Sequence, residues 1–186
     1  MVVTTTTLTR RIPELLPMLG RSTSGYHVSE LIHSLAVRTG RRSESQLHRP
    51  YNKMQMGCAL EHGLIARYQA HYPGRYFSPG EVEKDGIFGT PDLFDGLLVG
   101  PDEIKWSYYS ITDPTDDKYF EYFMQGDCYA WMMECDNSRL HIASNHLDSA
   151  TGDSEYVCWQ REYTWVELSK VWASLLAERE RIRQGR

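Results

Sequence analysis

Between Arg75 and Tyr109 the chain repeats one pattern: short runs of strand-forming residues, broken every few positions by turn residues. Such a stretch excludes an all-helical bundle and demands a sheet. Arg75 to Val82 and Gly86 to Phe88 flank Lys84-Asp85-Gly86, where Asp-Gly is a strong hairpin signal. Leu93 to Val99 predicts a further strand, Gly100-Pro101-Asp102 a turn, and Glu103 to Tyr109 the returning partner.

Helical spacing brackets this strand-rich centre. Apolar residues from Leu31 to Val37 predict a helix capped by Ser29 and ended at Gly40. Residues 41–52 read as a connector. A second helix is expected from about Lys53 to His71, where Leu60, Leu64, Ile65 and Tyr68 recur at helical intervals before Pro73-Gly74 stops it. Beyond the centre, the pattern predicts a helix from Lys118 to Glu134 and strands at Leu140–Ser144 and Tyr156–Gln160. A closing helix from Thr164 to Arg183 would pack through Leu168, Trp172 and Leu175. The expected fold class is α/β, a mixed central β-sheet flanked by helices. Residues 1–11 are Thr-rich and expected to be flexible; 12–186 are expected to form one domain, since no repeat or long linker divides them.

Composition narrows the function. Hydrophobic residues make up 41% and charged residues 24%, as in a globular domain. No run approaches the roughly 18 apolar residues of a membrane helix, and the start lacks a signal-peptide core, so the expected location is the cytoplasm, with no membrane partner. Cys58, Cys128, Cys135 and Cys158 form no CxxC pair, which argues against zinc and iron–sulfur chemistry. The net charge of −5 hides an asymmetry: +5 over residues 1–60 and −10 over the rest. Arg38, Arg41, Arg42, Arg49 and Lys53 thus supply a local basic surface of the kind phosphate contacts need. An ordinary solvated basic stretch would look the same.

The chemistry concentrates in Gly89-Thr90-Pro91-Asp92 and, eleven residues after that aspartate, Glu103-Ile104-Lys105. Side chains alternate along a strand, so Glu103 and Lys105 share a face while Ile104 offers only its backbone carbonyl. Oxygen ligands of this kind suit Mg²⁺ or Mn²⁺, and a lysine beside them can steer water toward a phosphodiester. With the turn at Gly100-Pro101, however, Asp92 would lie opposite a residue well beyond Lys105, and the site would need a bend or bulge near Pro91. By itself the spacing also fits a surface hairpin with solvated charges.

Two flanking signals complete the set. Glu61 stands four residues after Gly57 on the predicted second helix, and Gln125 and Tyr129 lie four apart on the next, sharing a face. In this order the motifs resemble the PD-(D/E)XK nuclease superfamily, in its RecB-type and phage-exonuclease branch. There a Gly-xxx-Glu/His helix precedes a Gly-xx-Asp strand, an acid-x-Lys strand and a Gln-xxx-Tyr helix. The resemblance spans residues 57–129 and implies a restriction-endonuclease-like core. It implies that Glu61, Asp92, Glu103 and the Ile104 carbonyl bind metal, with Asp92, Glu103 and Lys105 catalytic. Gln125 and Tyr129 would support the site and contact nucleic acid, with Arg41 and Arg42 as further DNA contacts. Asp95 is similar to a second acid of this branch and reads as structural. His62 adjoins Glu61 but would point elsewhere on the helix.

The implied activity is Mg²⁺- or Mn²⁺-dependent hydrolysis of DNA, as an exonuclease in phage or bacterial recombination and repair. A structure-selective or single-strand endonuclease is the alternative enzyme; a catalytically idle nucleic-acid-binding subunit is the alternative outside catalysis. Four intact site residues argue against the last, because binding alone needs no metal-organising acids. DNA is the expected partner, with room for a homo-oligomer or a recombination partner protein.

Overall fold

A computed structural model describes residues 25–42, 51–115, 117–147 and 154–185, with side chains left out at 51–55 and 145–147. The expected flexible segment 1–11 and the basic residues Arg49 and Lys53 fall outside these descriptions. Helix α1 (Val28–Arg38) starts two residues earlier than Ser29 suggested. Its cap is His27, whose backbone N–H reaches Glu30 in a capping box. Helix α2 (Tyr51–His71) and helix α3 (Phe120–Met132, entered through a 3₁₀ turn at Asp117–Tyr119) match their sequence signals closely. Helix α4 (Trp165–Arg183) begins at a reciprocal cap, in which Glu167 accepts from the Thr164 backbone at 2.8 Å and Thr164 Oγ1 accepts from the Glu167 N–H at 3.3 Å.

The strands divide into two sheets. The smaller holds β1 (Tyr26–His27), β3 (Val82–Lys84) and β4 (Ile87–Gly89) in the order β1-β4-β3. Its hairpin turns at Asp85 and Gly86, both at positive φ (53° and 71°), as the Asp-Gly signal required. The larger holds β2 (Tyr76–Phe77), β5 (Leu93–Asp95), β6 (Gly100–Ser107), β7 (Asn137–Leu147) and β8 (Ser154–Glu162), in the order β2-β5-β6-β7-β8. Only β6 and β7 run parallel in it, joined by the crossover through α3.

Helices cover this larger sheet unequally. On one face α2 packs Leu64, Ile65 and Tyr68 onto Leu93, Ile104 and Ala143. On the other, α3 covers Leu140, Ile142 and Trp159 and is itself overlaid by α1 and α4. Sandwiched in this way, α3 buries Met124 through Ala130, apart from half-buried Gln125, instead of a single stripe. Among the described residues no helix is long and apolar enough to cross a membrane.

The outer helices are joined by a buried acid. Glu178 on α4 is 1% exposed and accepts hydrogen bonds from Ser34 Oγ at 2.6 Å, Arg38 Nε at 2.8 Å and Arg181 Nη2 at 2.7 Å. Burial pushes its pKa up, and the bonds from Arg181, Ser34 and Arg38 more than reverse that, holding it at about 2. A carboxylate lowered on folding lends stability that is complete above its unfolded pKa, 4.5, and is lost as pH falls through about 2. We expect Glu178→Gln to lower stability by about 2–3 kcal/mol at neutral pH, and the gap from wild type to close on acidification below about pH 5. Thermal melts of both proteins across that range check this; a gap that stays constant contradicts it.

Candidate active site

The hairpin that carries the acids turns earlier than its Gly-Pro pair suggests. Asp95 Oδ1 accepts from the backbone N–H groups of Leu97 (2.8 Å) and Leu98 (3.2 Å), closing a turn over residues 96–99. Asn137 Nδ2 donates to the carbonyls of Leu98 and Val99 at 3.2 and 3.3 Å, and Val99 takes a positive φ of 49°. Gly100 lets Asn137 come this close; a Cβ there would collide with the amide. Gly100-Pro101-Asp102 therefore opens β6 instead of forming a turn, and the strand expected to reach Val99 ends at Asp95. Pro101 is tolerated because its missing N–H falls on the β7 side, where pairing begins only at Asp102. The resulting register, Leu93 opposite Asp102, brings Asp92 beside Glu103 with no bend or bulge.

Strand β5 leaves β6 after that pair, while β6 runs on to Ser107 with β7 on its other side only. The next two outward N–H groups belong to Ile104 and Trp106, and carboxylates take both. Asp92 Oδ2 accepts from Ile104 N at 2.8 Å, and Glu61 Oε1, arriving from α2, accepts from Trp106 N at 3.2 Å. An extended residue turns its N–H and C=O to the same edge, so the Ile104 carbonyl faces these acids while its side chain is buried beneath α2.

Glu103 and Lys105 project from the opposite face of β6 and form an ion pair; Lys105 Nζ also lies 3.8 Å from Asp92 Oδ2. Three carboxylates thus surround one ammonium. Burial raises the pKa of Glu103, the charge on Asp92 raises it further, and Lys105 opposes both. Burial likewise raises Glu61, against the pull of Lys105. For Lys105, burial acts to lower the pKa, but Glu103, Asp92 and Glu61 outweigh it, so the amine is held as an ammonium. The excess negative charge rests on the acids. Glu103 Oε2 is buried and meets no hydrogen-bond partner among the described residues. Among the described residues, no three acidic, His or Cys side chains stand close enough together to enclose a metal as they are. Even so, the unpartnered oxygen and the surplus of carboxylate suit a hard divalent cation.

The α3 face completes the wall. Tyr129 is 3% exposed, its phenol pKa raised by burial and then by the nearby Glu103 charge, and Gln125 Nε2 donates to its hydroxyl at 3.3 Å. Tyr122, four residues before Gly126, lies 5.7 Å from Lys105 Nζ through its ring. Gly89 accounts for the first position of its motif: a Cβ there would stand 2.6 Å from Tyr129 Cε1. Gly57 has open space around it, so no packing among the described residues requires it. Arg41 and Arg42 lie apart from the cluster, beyond the end of α1. Arg41 pairs with Asp117 at 2.5 Å and Arg42 with Glu121 at 2.5 Å. Asp95 is structural as expected, buried under Arg75 at 2.7 Å and Arg139 at 3.0 Å, and His62 is exposed. Sequence reading missed the two backbone N–H anchors, which have no side-chain signature.

A scan against family models finds no match, and neither does a search of curated proteins. Solved structures do match. The phage-related exonuclease of Haemophilus somnus 129PT aligns over 84% of this chain and 92% of its own, with a TM-score of 0.58 at 14% identity. The chain shares the fold of that exonuclease. LHK-Exo, the alkaline exonuclease of Laribacter hongkongensis, aligns in its dAMP complex over 87% of this chain and 92% of its own, with a TM-score of 0.50 at 20% identity. SSO0001 aligns over 86% and 79%, with a TM-score of 0.52 at 14% identity. At such identities the likeness is one of fold.

The two motif glycines should respond oppositely to substitution. Gly89→Ala forces Tyr129 aside and is expected to cost about 1–3 kcal/mol. Gly57→Ala, in an open helical position, is expected to stabilise by about 0.5–1 kcal/mol. Urea denaturation of both variants decides, and equal responses would contradict the packing described.

Proposed function

We propose that the chain is a metal-dependent deoxyribonuclease of the PD-(D/E)XK superfamily that acts as an exonuclease in phage or bacterial recombination and repair. One observation carries the reading: Glu61, Asp92, Glu103 and Lys105, from three separate elements, gather along the bare edge of β6. The exonuclease folds of the structural neighbours support it, and the dAMP bound to LHK-Exo supports a nucleic-acid substrate.

Asp92, Glu103 and the Ile104 carbonyl would hold Mg²⁺ or Mn²⁺, with Glu61 completing the oxygen set. When bound, such a cation supplies activation of water and neutralisation of phosphate charge. The chain's own residues do the rest. Lys105, fixed as an ammonium, donates hydrogen bonds; it orients the attacking water or stabilises the negative charge that develops on the phosphoryl oxygens beside it. Its protonation rules it out as the base in this state. Glu103 and Asp92 position that ammonium from two sides, and Tyr129, braced by Gln125, closes the site beneath them.

Incubation of the purified protein with end-labelled linear and closed circular DNA, with Mg²⁺, Mn²⁺ or chelator, tests the reading. We expect the linear form to be digested, the circle spared, and chelator to abolish the reaction. Lys105→Ala is expected to slow digestion by about 10²–10⁴-fold, and Asp92→Ala to remove it. Equal attack on circles would replace the exonuclease by an endonuclease; digestion that survives Asp92→Ala would refute the site.

A further inference from the structure

A second polar surface lies on the sheet face that α2 leaves half covered. Helix α2 packs over β6 and β2 and reaches the β7–β8 half only through Leu64, against Ala143, and Tyr68, against His141 and Tyr156; a cleft of about 1200 Å³ opens beside its flank there. That exceeds the usual size of a small-molecule pocket, so the cleft suits a polymer better than a single nucleotide. Its lining among the described residues contains four arginines, two histidines and four tyrosines, and no aspartate or glutamate; three of the arginines, Arg67, Arg75 and Arg139, belong to this side, while Arg161 sits on the α3 side of β8 and pairs with Asp127 at 3.1 Å.

The arrangement is built, not incidental. Asp102, fully buried beneath the cleft, accepts from Arg139 Nε at 2.7 Å and contacts His141 Nε2 at 3.1 Å. The other ring nitrogen of His141 is bonded to the Tyr156 hydroxyl at 2.6 Å and the Tyr68 hydroxyl at 3.2 Å. Asp95 and Asp102 thus lie beneath the basic groups and present no carboxylate to the opening. On the rim, the Arg75 guanidinium stacks 4.9 Å over the Tyr76 ring and 5.7 Å from Tyr72. Arg67 is exposed on α2 and forms no hydrogen bond or ion pair among the described residues. Cationic groups interleaved with aromatic faces fit phosphates and bases together, whereas an acidic peptide would use the charges alone.

We propose that this cleft binds a stretch of single-stranded nucleic acid outside the cleavage site. The assignment rests on the nuclease reading for the identity of the polymer. Glu61 and Arg67 lie on the same helix, about 9 Å apart along its axis and about 120° apart around it, so a strand that engages both sites passes around the flank of α2.

Binding of a fluorescein-labelled oligothymidylate of about twelve nucleotides, read by anisotropy in chelator, tests this without turnover. Arg67→Glu is expected to weaken binding roughly tenfold and to reduce the slope of log affinity against log salt by about 0.7. Gln160→Glu, on the β8 wall, should act in the same direction. Arg183→Glu, which makes the same charge change outside the cleft, should alter affinity less than about twofold. The proposal is overturned if wild type does not bind, if Arg67→Glu and Gln160→Glu bind as wild type does, or if oligoglutamate competes as well as unlabelled oligothymidylate. Because no cleavage is read, loss of the nuclease reading would leave a positive binding result standing. Digestion of DNA together with unchanged variant binding would remove the cleft alone.

Discussion

The early departure of β5 from β6 is the constraint on which the rest depends. A buried strand with one open edge must satisfy its outward N–H groups, and an unsatisfied one costs about 1–3 kcal/mol. Here Asp92 and Glu61 satisfy them at Ile104 and Trp106. The same hydrogen bonds that make the edge tolerable bring two carboxylates to it, and strand alternation adds Glu103 and Lys105. The site is thus a by-product of completing the sheet, which is why it draws residues from α2, the segment before β5, and β6.

That completion leaves an electrostatic debt. One ammonium faces three acids in a space where burial disfavours charge, and Glu103 keeps an oxygen with no partner among the described residues. Buried charge without full compensation is costly, and sites that retain it commonly do so for a ligand. The neighbouring Asp95–Arg75–Arg139–Asp102 network shows the contrast. There acids and bases are matched, Asp95 is held well below the usual carboxylate range despite its burial, and the result is a rigid hairpin base.

Much of this was legible in the sequence where periodicity or a turn signature operates locally. The helices, the Asp85-Gly86 turn and the pairing of Gln125 with Tyr129 follow from spacing alone. What failed was the hairpin register. Gly100-Pro101 looks like a turn by composition, but the decisive contacts come from Asp95 and from Asn137, which is 37 residues beyond Gly100. A tertiary hydrogen bond overrode a local propensity, and in doing so it removed the apparent need for a bend at Pro91. The basic residues Arg41 and Arg42 illustrate the other limit. Sequence gives their charge but not Asp117 and Glu121, the acids that engage them.

A crystal of the protein soaked in Mn²⁺, with anomalous scattering recorded near the manganese edge, tests the central claim most directly. We expect a peak at the β6 edge, roughly 2.0–2.3 Å from carboxylate oxygens of Asp92 and Glu103 and from the Ile104 carbonyl. Full manganese occupancy elsewhere on the molecule, with that edge empty and the four side chains unmoved, would contradict it.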